Sequence, residues 1–306
     1  MRKPNSKRIA RRLQKALTAA GFEGKIVKVF TASFGMPYEV GLAKLADGRK
    51  AVIKISERYR GHQKTPLAER LNEFRHLRAV AALDDARLPM PLYFKGRTLV
   101  MTCISGIPIG KYGNRIKPSA YVELGRLVRR INDMPARALV HATRVKSFTA
   151  FFDESVKMLF KKRLVLDLFP REFYERVTST LRPKMKAAGA FDSGVIWGDA
   201  NAENIMIAPD GRLAGLIDFA DLVVGPRILQ FIKLIPTIGE KNLKHFAKGY
   251  GLKAFRRNYK PVCVRAIAVL SSLKAVALAR KEGDEAWLIR SLKELEERLK
   301  GFGLPF

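Results

Sequence analysis

Val195-Ile196-Trp197-Gly198-Asp199-Ala200-Asn201-Ala202-Glu203-Asn204-Ile205-Met206-Ile207, followed by Gly215-Leu216-Ile217-Asp218-Phe219, is the stretch from which the rest of the chain is read. Val195-Ile196 and Ile205-Met206-Ile207 are short apolar runs of the kind that form strands. Pro209-Asp210-Gly211 is a turn signal ahead of a third run, Leu213 to Ile217. Two hairpin-like steps are therefore expected to bring Asp199, Asn204 and Asp218 to the ends of neighbouring strands. All three offer oxygen, the ligand atom that a hard cation such as Mg²⁺ requires.

An aspartate, five positions to an asparagine, then an aspartate after an apolar run is a layout that serves phosphoryl transfer. In it the first aspartate orients the attacking hydroxyl and accepts its proton. The asparagine and the second aspartate hold Mg²⁺ against nucleotide phosphates. The reaction asks for positioning and charge neutralisation more than covalent help. Solvated loop acids would supply the same residues, but without an apolar run beside each.

Trp197-Gly198-Asp199-x-x-x-x-Asn204 with Ile217-Asp218-Phe219 resembles the aminoglycoside phosphotransferase and choline kinase group of the protein-kinase-like superfamily. Its members usually read His-Gly-Asp-x-x-x-x-Asn and then Ile-Asp-Phe. The resemblance implies Asp199 as the catalytic aspartate, Asn204 and Asp218 as metal ligands, and Mg²⁺ and ATP as cofactors. Two departures stand out. Trp197 replaces the usual histidine, a packing and backbone-anchoring residue. After Gly225-Pro226 come Arg227 and Gln230 where the family often has aspartates that brace the catalytic loop.

The expected fold is α+β and two-lobed, protein-kinase-like, with a small β-rich lobe over residues 1–104 and a larger α-rich lobe over 105–306. Within the first, Lys25 to Phe30, Tyr38 to Leu45 and Ala51 to Ile55 read as strands, the last two joined at Asp47-Gly48. The Thr31 to Met36 loop between the first two would lie over the phosphates. Ser33, Phe34 and Gly35 would supply backbone amides, and Ser33 a hydroxyl as well. Lys54 follows three apolar positions on its strand, as in the Val-Ala-Ile-Lys pattern whose lysine grips the α and β phosphates. Thr65-Pro66 starts a helix. Glu73 on it is the expected partner of Lys54, with Glu69 the alternative. By resemblance, the connector from Met101 through Cys103 to Ile104 borders the adenine.

The N-terminal helix over 6–20 sets Ile9, Leu13 and Leu17 on one arc and Lys7, Arg8, Arg11, Arg12 and Lys15 on the other. It reads as a helix packed on the core with a solvated basic face, or as a contact surface for phosphate backbones. Helices are also expected around Tyr121 to Ile131, over Phe148 to Leu168 and Arg171 to Ala188, over Leu229 to Ile235 closed by Pro236, and over Val262 to Arg280 and Asp284 to Lys300. Protein kinases place a long activation loop after the Asp-Phe pair to dock a peptide. Only five residues separate Phe219 from Gly225 here, which points to small-molecule or RNA acceptors.

The chain has 58 Lys+Arg against 28 Asp+Glu, a formal charge of +30. Such a field attracts polyanions and repels cationic substrates, so RNA is a candidate partner and acceptor. Hydrophobic residues make up 47%, too many for a disordered chain. The apolar stretch Pro261 to Ala279 is broken by Arg265 and Lys274, so a buried helix is expected there and no membrane span. Cys103 and Cys263 lie far apart, consistent with a cytoplasmic protein without a structural disulfide. His62, His76, His141 and His245 show no ligand spacing. The functional expectation is transfer of the γ-phosphoryl of Mg-ATP to a hydroxyl of a small molecule or RNA. The alternative is a non-catalytic nucleotide-binding module that uses its basic surface as a scaffold.

Overall fold

The computed structural model of the chain describes residues 6–30, 38–56, 66–161 and 168–305. In chain order the elements are α1 (Ser6–Ala19), β1 (Gly24–Phe30), β2 (Tyr38–Leu45), β3 (Lys50–Ser56), α2 (Pro66–Ala81), β4 (Pro91–Lys95), β5 (Thr98–Thr102) and β6 (Ile107–Pro108). There follow α3 (Ile109–Tyr112), α4 (Pro118–Asn132), β7 (Thr143–Arg144), α5 (Phe148–Lys161), α6 (Arg171–Ala187), β8 (Ser193–Trp197), β9 (Ile205–Ile207), β10 (Leu213–Leu216) and β11 (Leu222–Pro226). The chain closes with α7 (Leu229–Ile238), α8 (Leu243–Tyr250), α9 (Leu252–Asn258), α10 (Pro261–Glu282) and α11 (Glu285–Lys300).

The small lobe is one antiparallel sheet in the order β1-β2-β3-β5-β4. Asp47 and Gly48 make the β2–β3 turn: Gly48 takes a positive φ of 83°, and the Asp47 carboxylate accepts from the Arg49 amide. β3 lies in the middle, paired with β2 and β5, so Lys54 stands on the best-supported strand of the sheet. One face is covered by α1. Leu13 and Leu17 are fully buried there against Ala43, Ile53 and Val100, each contributing about 2 kcal/mol of transfer free energy. Lys7, Arg8, Arg11, Arg12 and Lys15 stay exposed on the other arc. The helix is thus a core element with a basic outer face.

The larger lobe is built around one continuous core in which α4, α7, α8 and α10 meet the short strands. α4 and α8 approach so closely that glycine is required on both. A Cβ on Gly249 would come 1.9 Å from the Val122 carbonyl oxygen, and one on Gly125 2.2 Å from that of Phe246. α10 is long and apolar enough to cross a membrane by composition, but 61% of its most apolar window is buried, and it packs on α11, α5, α6 and α7.

Three expectations change. Val195-Ile196 does not form a hairpin with Ile205–Ile207. β8 pairs with β11 in the sheet β7-β11-β8, while β9 pairs with β10 and β6 in another. The partner strand Leu222–Pro226 is short and glycine- and proline-ended, so its strand character was hidden. α7 does not stop before Pro236 but runs through it to Ile238, the Gly239 amide closing it on the Ile235 carbonyl at 2.9 Å. The segment 243–258 forms the helices α8 and α9, unforeseen because they are only eight and seven residues long and no side chain caps either N-terminus.

Gly249→Ala tests the α4–α8 contact. The added methyl has only backbone to push against, so stability falls by about 3 kcal/mol and Tm by at least about 5 °C. An unchanged melting curve by calorimetry contradicts the close approach.

Candidate active site

A lysine amine buried on a strand needs a counter-charge, because an unpaired ammonium in low dielectric is costly. Lys54 is 8% exposed, and its Nζ lies 2.6 Å from Glu73 Oε1 on α2. Glu73, itself buried, also pairs with Arg70 one turn earlier. The same Lys54 amine stands 3.9 Å from Asp218 Oδ1, across from the other lobe. The predicted pair Lys54–Glu73 is therefore present and faces the predicted metal ligand. The Glu69 side chain lies outside the described residues, as do Ser33, Phe34 and Gly35.

Asp218 holds a positive φ of 62°, a conformation a non-glycine residue takes at a cost. Two contacts hold the backbone here. The Trp197 indole Nε1–H donates to the Asp218 carbonyl at 2.9 Å, and the Ile217 amide donates to the Asn204 carbonyl at 3.0 Å. Trp197 is fully buried and stacks on Phe219 at 5.8 Å between ring centroids. The tryptophan that replaces the family's histidine thus anchors the backbone of the second aspartate.

Asp199 sits in the turn after β8. Asn204 Nδ2 donates to its Oδ2 and to its carbonyl, both at 2.9 Å. With the side-chain nitrogen turned to Asp199, the Asn204 side-chain oxygen Oδ1 is left for a cation. Asn204 and Asp218 then provide two protein oxygens. That fits Mg²⁺, which is bound through one or two protein oxygens with phosphates and water completing the octahedron. The other Asp199 oxygen, Oδ1, accepts from Lys233 Nζ on α7 at 2.7 Å.

Gln230 answers how the loop is braced without an aspartate. Its Oε1 accepts from the Trp197 amide at 3.0 Å and its Nε2 donates to the Trp197 carbonyl at 3.2 Å. Asn132 on α4 joins in, donating to the Val195 carbonyl at 2.6 Å and to Gln230 Oε1 at 3.2 Å. Tyr250 closes the network by donating to Asn132 Oδ1 at 2.7 Å, and burial pushes its hydroxyl up to about 12, so it stays a donor. A neutral amide supplies both donor and acceptor, which a carboxylate cannot.

The connector expectation is corrected in part. Met101 is buried at the end of β5, but the Cys103 amide is spent on the Lys50 carbonyl at 3.2 Å, continuing the β3–β5 pairing.

Three site residues were missed. Lys233 lies one helical turn beyond Gln230, a spacing that puts both on one face. His76 lies three residues beyond Glu73. It is buried, and its Nδ1 lies 3.0 Å from the carbonyls of both Phe219 and Ala220, so Nδ1 carries the proton and ties α2 to the chain just after Asp218. Burial lowers its pKa, which keeps the ring neutral. Asp221 is the third. Its carbonyl accepts from the Gly198 amide at 2.9 Å, and a Cβ on Gly198 would stand 2.4 Å from that oxygen, so the aspartate turn needs its glycine. Burial first, then Asp199, raise the Asp221 carboxyl, while Lys233 pulls it down.

A β-rich lobe facing an α-rich lobe, with a paired strand lysine opposite an Asp–Asn–Asp set, is the architecture of a kinase-like phosphotransferase. Solved structures share the fold. A macrolide 2'-phosphotransferase, MphH, from Brachybacterium faecium aligns with a TM-score of 0.70 at 14% identity, over 94% of this chain and 98% of its own. The GDP and kanamycin complex of APH(2")-IIia gives 0.71 at 14%, over 95% and 99%. A choline/ethanolamine kinase family protein from Mesorhizobium loti gives 0.65 at 16%, over 96% and 94%. No curated protein matches the sequence. The model of the phosphotransferase enzyme family matches residues 42–264, more than half of the chain, and the chain belongs to that family. It is a phosphotransferase of the kinase type that acts on a hydroxyl acceptor.

Gln230→Ala removes a buried donor and acceptor at once. Stability is expected to fall by about 1–3 kcal/mol, read as a lower midpoint in urea, and nucleotide affinity is expected to fall with it. A variant as stable as the parent contradicts the brace.

Proposed function

We propose that the protein transfers the γ-phosphoryl of Mg-ATP to a hydroxyl of a small molecule or of RNA, with Asp199 as the base. The observation that carries this reading is the position of Lys54 Nζ, 2.6 Å from Glu73 and 3.9 Å from Asp218. One amine from the small lobe thereby faces the Asp218 carboxylate of the large lobe. Lys54 grips the α and β phosphates and Glu73 keeps it aimed. Asn204 and Asp218 hold Mg²⁺, which when bound neutralises charge on the β and γ phosphates. Asp199 orients the acceptor hydroxyl and takes its proton. The connector after β5 borders the base. The lobes divide after Ile104. The charge of +30 favours an anionic acceptor such as RNA over a polycationic one. Cys103 and Cys263, both free thiols, favour a cytoplasmic enzyme.

Radiolabelled ATP offered to total RNA, to total protein and to a panel of aminoglycosides and amino alcohols shows which acceptor becomes labelled. Asp199→Ala is expected to lower turnover by about 10²–10⁴ while leaving Mg-ATP affinity nearly unchanged. Normal turnover defeats the assignment. Asp218→Ala is expected to weaken Mg-ATP binding by at least about tenfold as well as turnover. Equal affinity of parent and variant by calorimetry removes its metal role.

A further inference from the structure

Lys233 adds an acceptor-side charge to this site. It stands half-exposed on α7, with Nζ 2.7 Å from Oδ1 of Asp199. A hydroxyl that hands its proton to that carboxylate must come within about 2.6–3.2 Å of it. Two donors sharing one carboxylate oxygen then lie roughly 4–5 Å apart at ordinary hydrogen-bond angles. The reacting hydroxyl is thus placed against the Lys233 ammonium. An amine on the neighbouring carbon of the acceptor meets a like charge at contact distance, whereas a phosphate or carboxylate meets a counter-ion. A half-exposed ion pair is weak enough to exchange partners, so Lys233 can turn from Asp199 to an incoming anion. The chain beyond the site has the same sign. Between Asp221 and Glu282 stand thirteen Lys or Arg residues and one acid, Glu240.

We propose that Lys233 binds the acceptor by an anionic group carried beside the reacting hydroxyl, so that the enzyme phosphorylates anionic hydroxyl compounds and rejects cationic ones. The inference rests on the phosphotransferase reading of Asp199. In the step itself the acceptor O–H gives its proton to Asp199. A bond forms from that oxygen to the γ-phosphorus, and the bond from the γ-phosphorus to its bridging oxygen breaks, its electron pair leaving on the nucleoside diphosphate. Lys233 makes and breaks no bond. It binds the acceptor and leaves Oδ1 open to the hydroxyl. The opposing element is Asp221, whose carboxylate takes neither the base nor the cation role and is felt electrostatically by both Asp199 and Lys233.

The test uses the full chain saturated with Mg²⁺ and a non-hydrolysable ATP analogue, which fills the nucleotide phosphate subsites. Ribose 5-phosphate, ribose and kanamycin are titrated by calorimetry and by saturation-transfer NMR. Ribose 5-phosphate is expected to bind at least about tenfold tighter than ribose, and kanamycin more weakly than either. Lys233→Met abolishes the preference for the phosphate, while Lys293→Met, on the exposed face of α11, leaves it intact. Equal binding of the two sugars, a preference that survives in Lys233→Met, or tighter kanamycin binding that is lost in Asp221→Asn each overturns the inference. A lower affinity of Lys233→Met for the ATP analogue overturns it too, since the lysine then belongs to the nucleotide. Failure of the parent protein to bind the analogue brings down the Mg-ATP reading together with this one. A bound analogue without discrimination brings down this one alone.

Discussion

A buried ammonium has to be paired, and in this chain the pairing decides how the two lobes face each other. Lys54 is nearly fully buried on the central strand of the sheet, so it can persist only with Glu73 beside it. Glu73 in turn fixes the rotation of α2, because the same turn must present Arg70 to its other oxygen. With α2 set, His76 falls three residues on and reaches the carbonyls of Phe219 and Ala220. One ion pair on the small lobe therefore runs by way of one helix to the backbone that carries Asp218.

On the other lobe the constraint is the conformation of the turns. Asp218 in the left-handed region and Gly198 with no room for a Cβ are both locally unfavourable or tightly restricted, and both are tied down by neutral groups. Trp197 holds one carbonyl through its indole, and Gln230 holds the Trp197 amide and carbonyl together. The family's histidine and aspartate are replaced, yet the bonds at these positions are made. An amide that donates and accepts, backed by Asn132 and Tyr250, needs no charge in a site where Asp199, Asp218 and Asp221 already repel one another. Removing one carboxylate from behind such a cluster lowers the electrostatic cost of ionising the rest.

The strand lysine, its glutamate and the Asp–Asn–Asp set were legible because each sits at a fixed offset from an apolar run, and periodicity places it. The small-lobe strands and α1 were legible for the same reason. Strand pairing in the large lobe was not. β8 and β9 are separated by a turn that looks like a hairpin, and nothing local says that β8 pairs with a later strand. α8 was lost because its packing depends on Gly249 meeting the Val122 carbonyl of α4, a contact between residues more than a hundred positions apart, and the seven-residue α9 packs on α8 in turn. His76 and Lys233 carried a helical-spacing signal from Glu73 and Gln230, but one that points to a shared face and not to a partner.

The central claim is that Lys54 grips the phosphates of a nucleotide whose cation is held by Asn204 and Asp218. A crystal structure with Mg²⁺ and a non-hydrolysable ATP analogue tests it most directly. A cation at about 2.0–2.1 Å from oxygens of Asn204 and Asp218, with Lys54 on the α and β phosphates, is the predicted result. A nucleotide bound away from Lys54, or a cation held by neither side chain, contradicts the account.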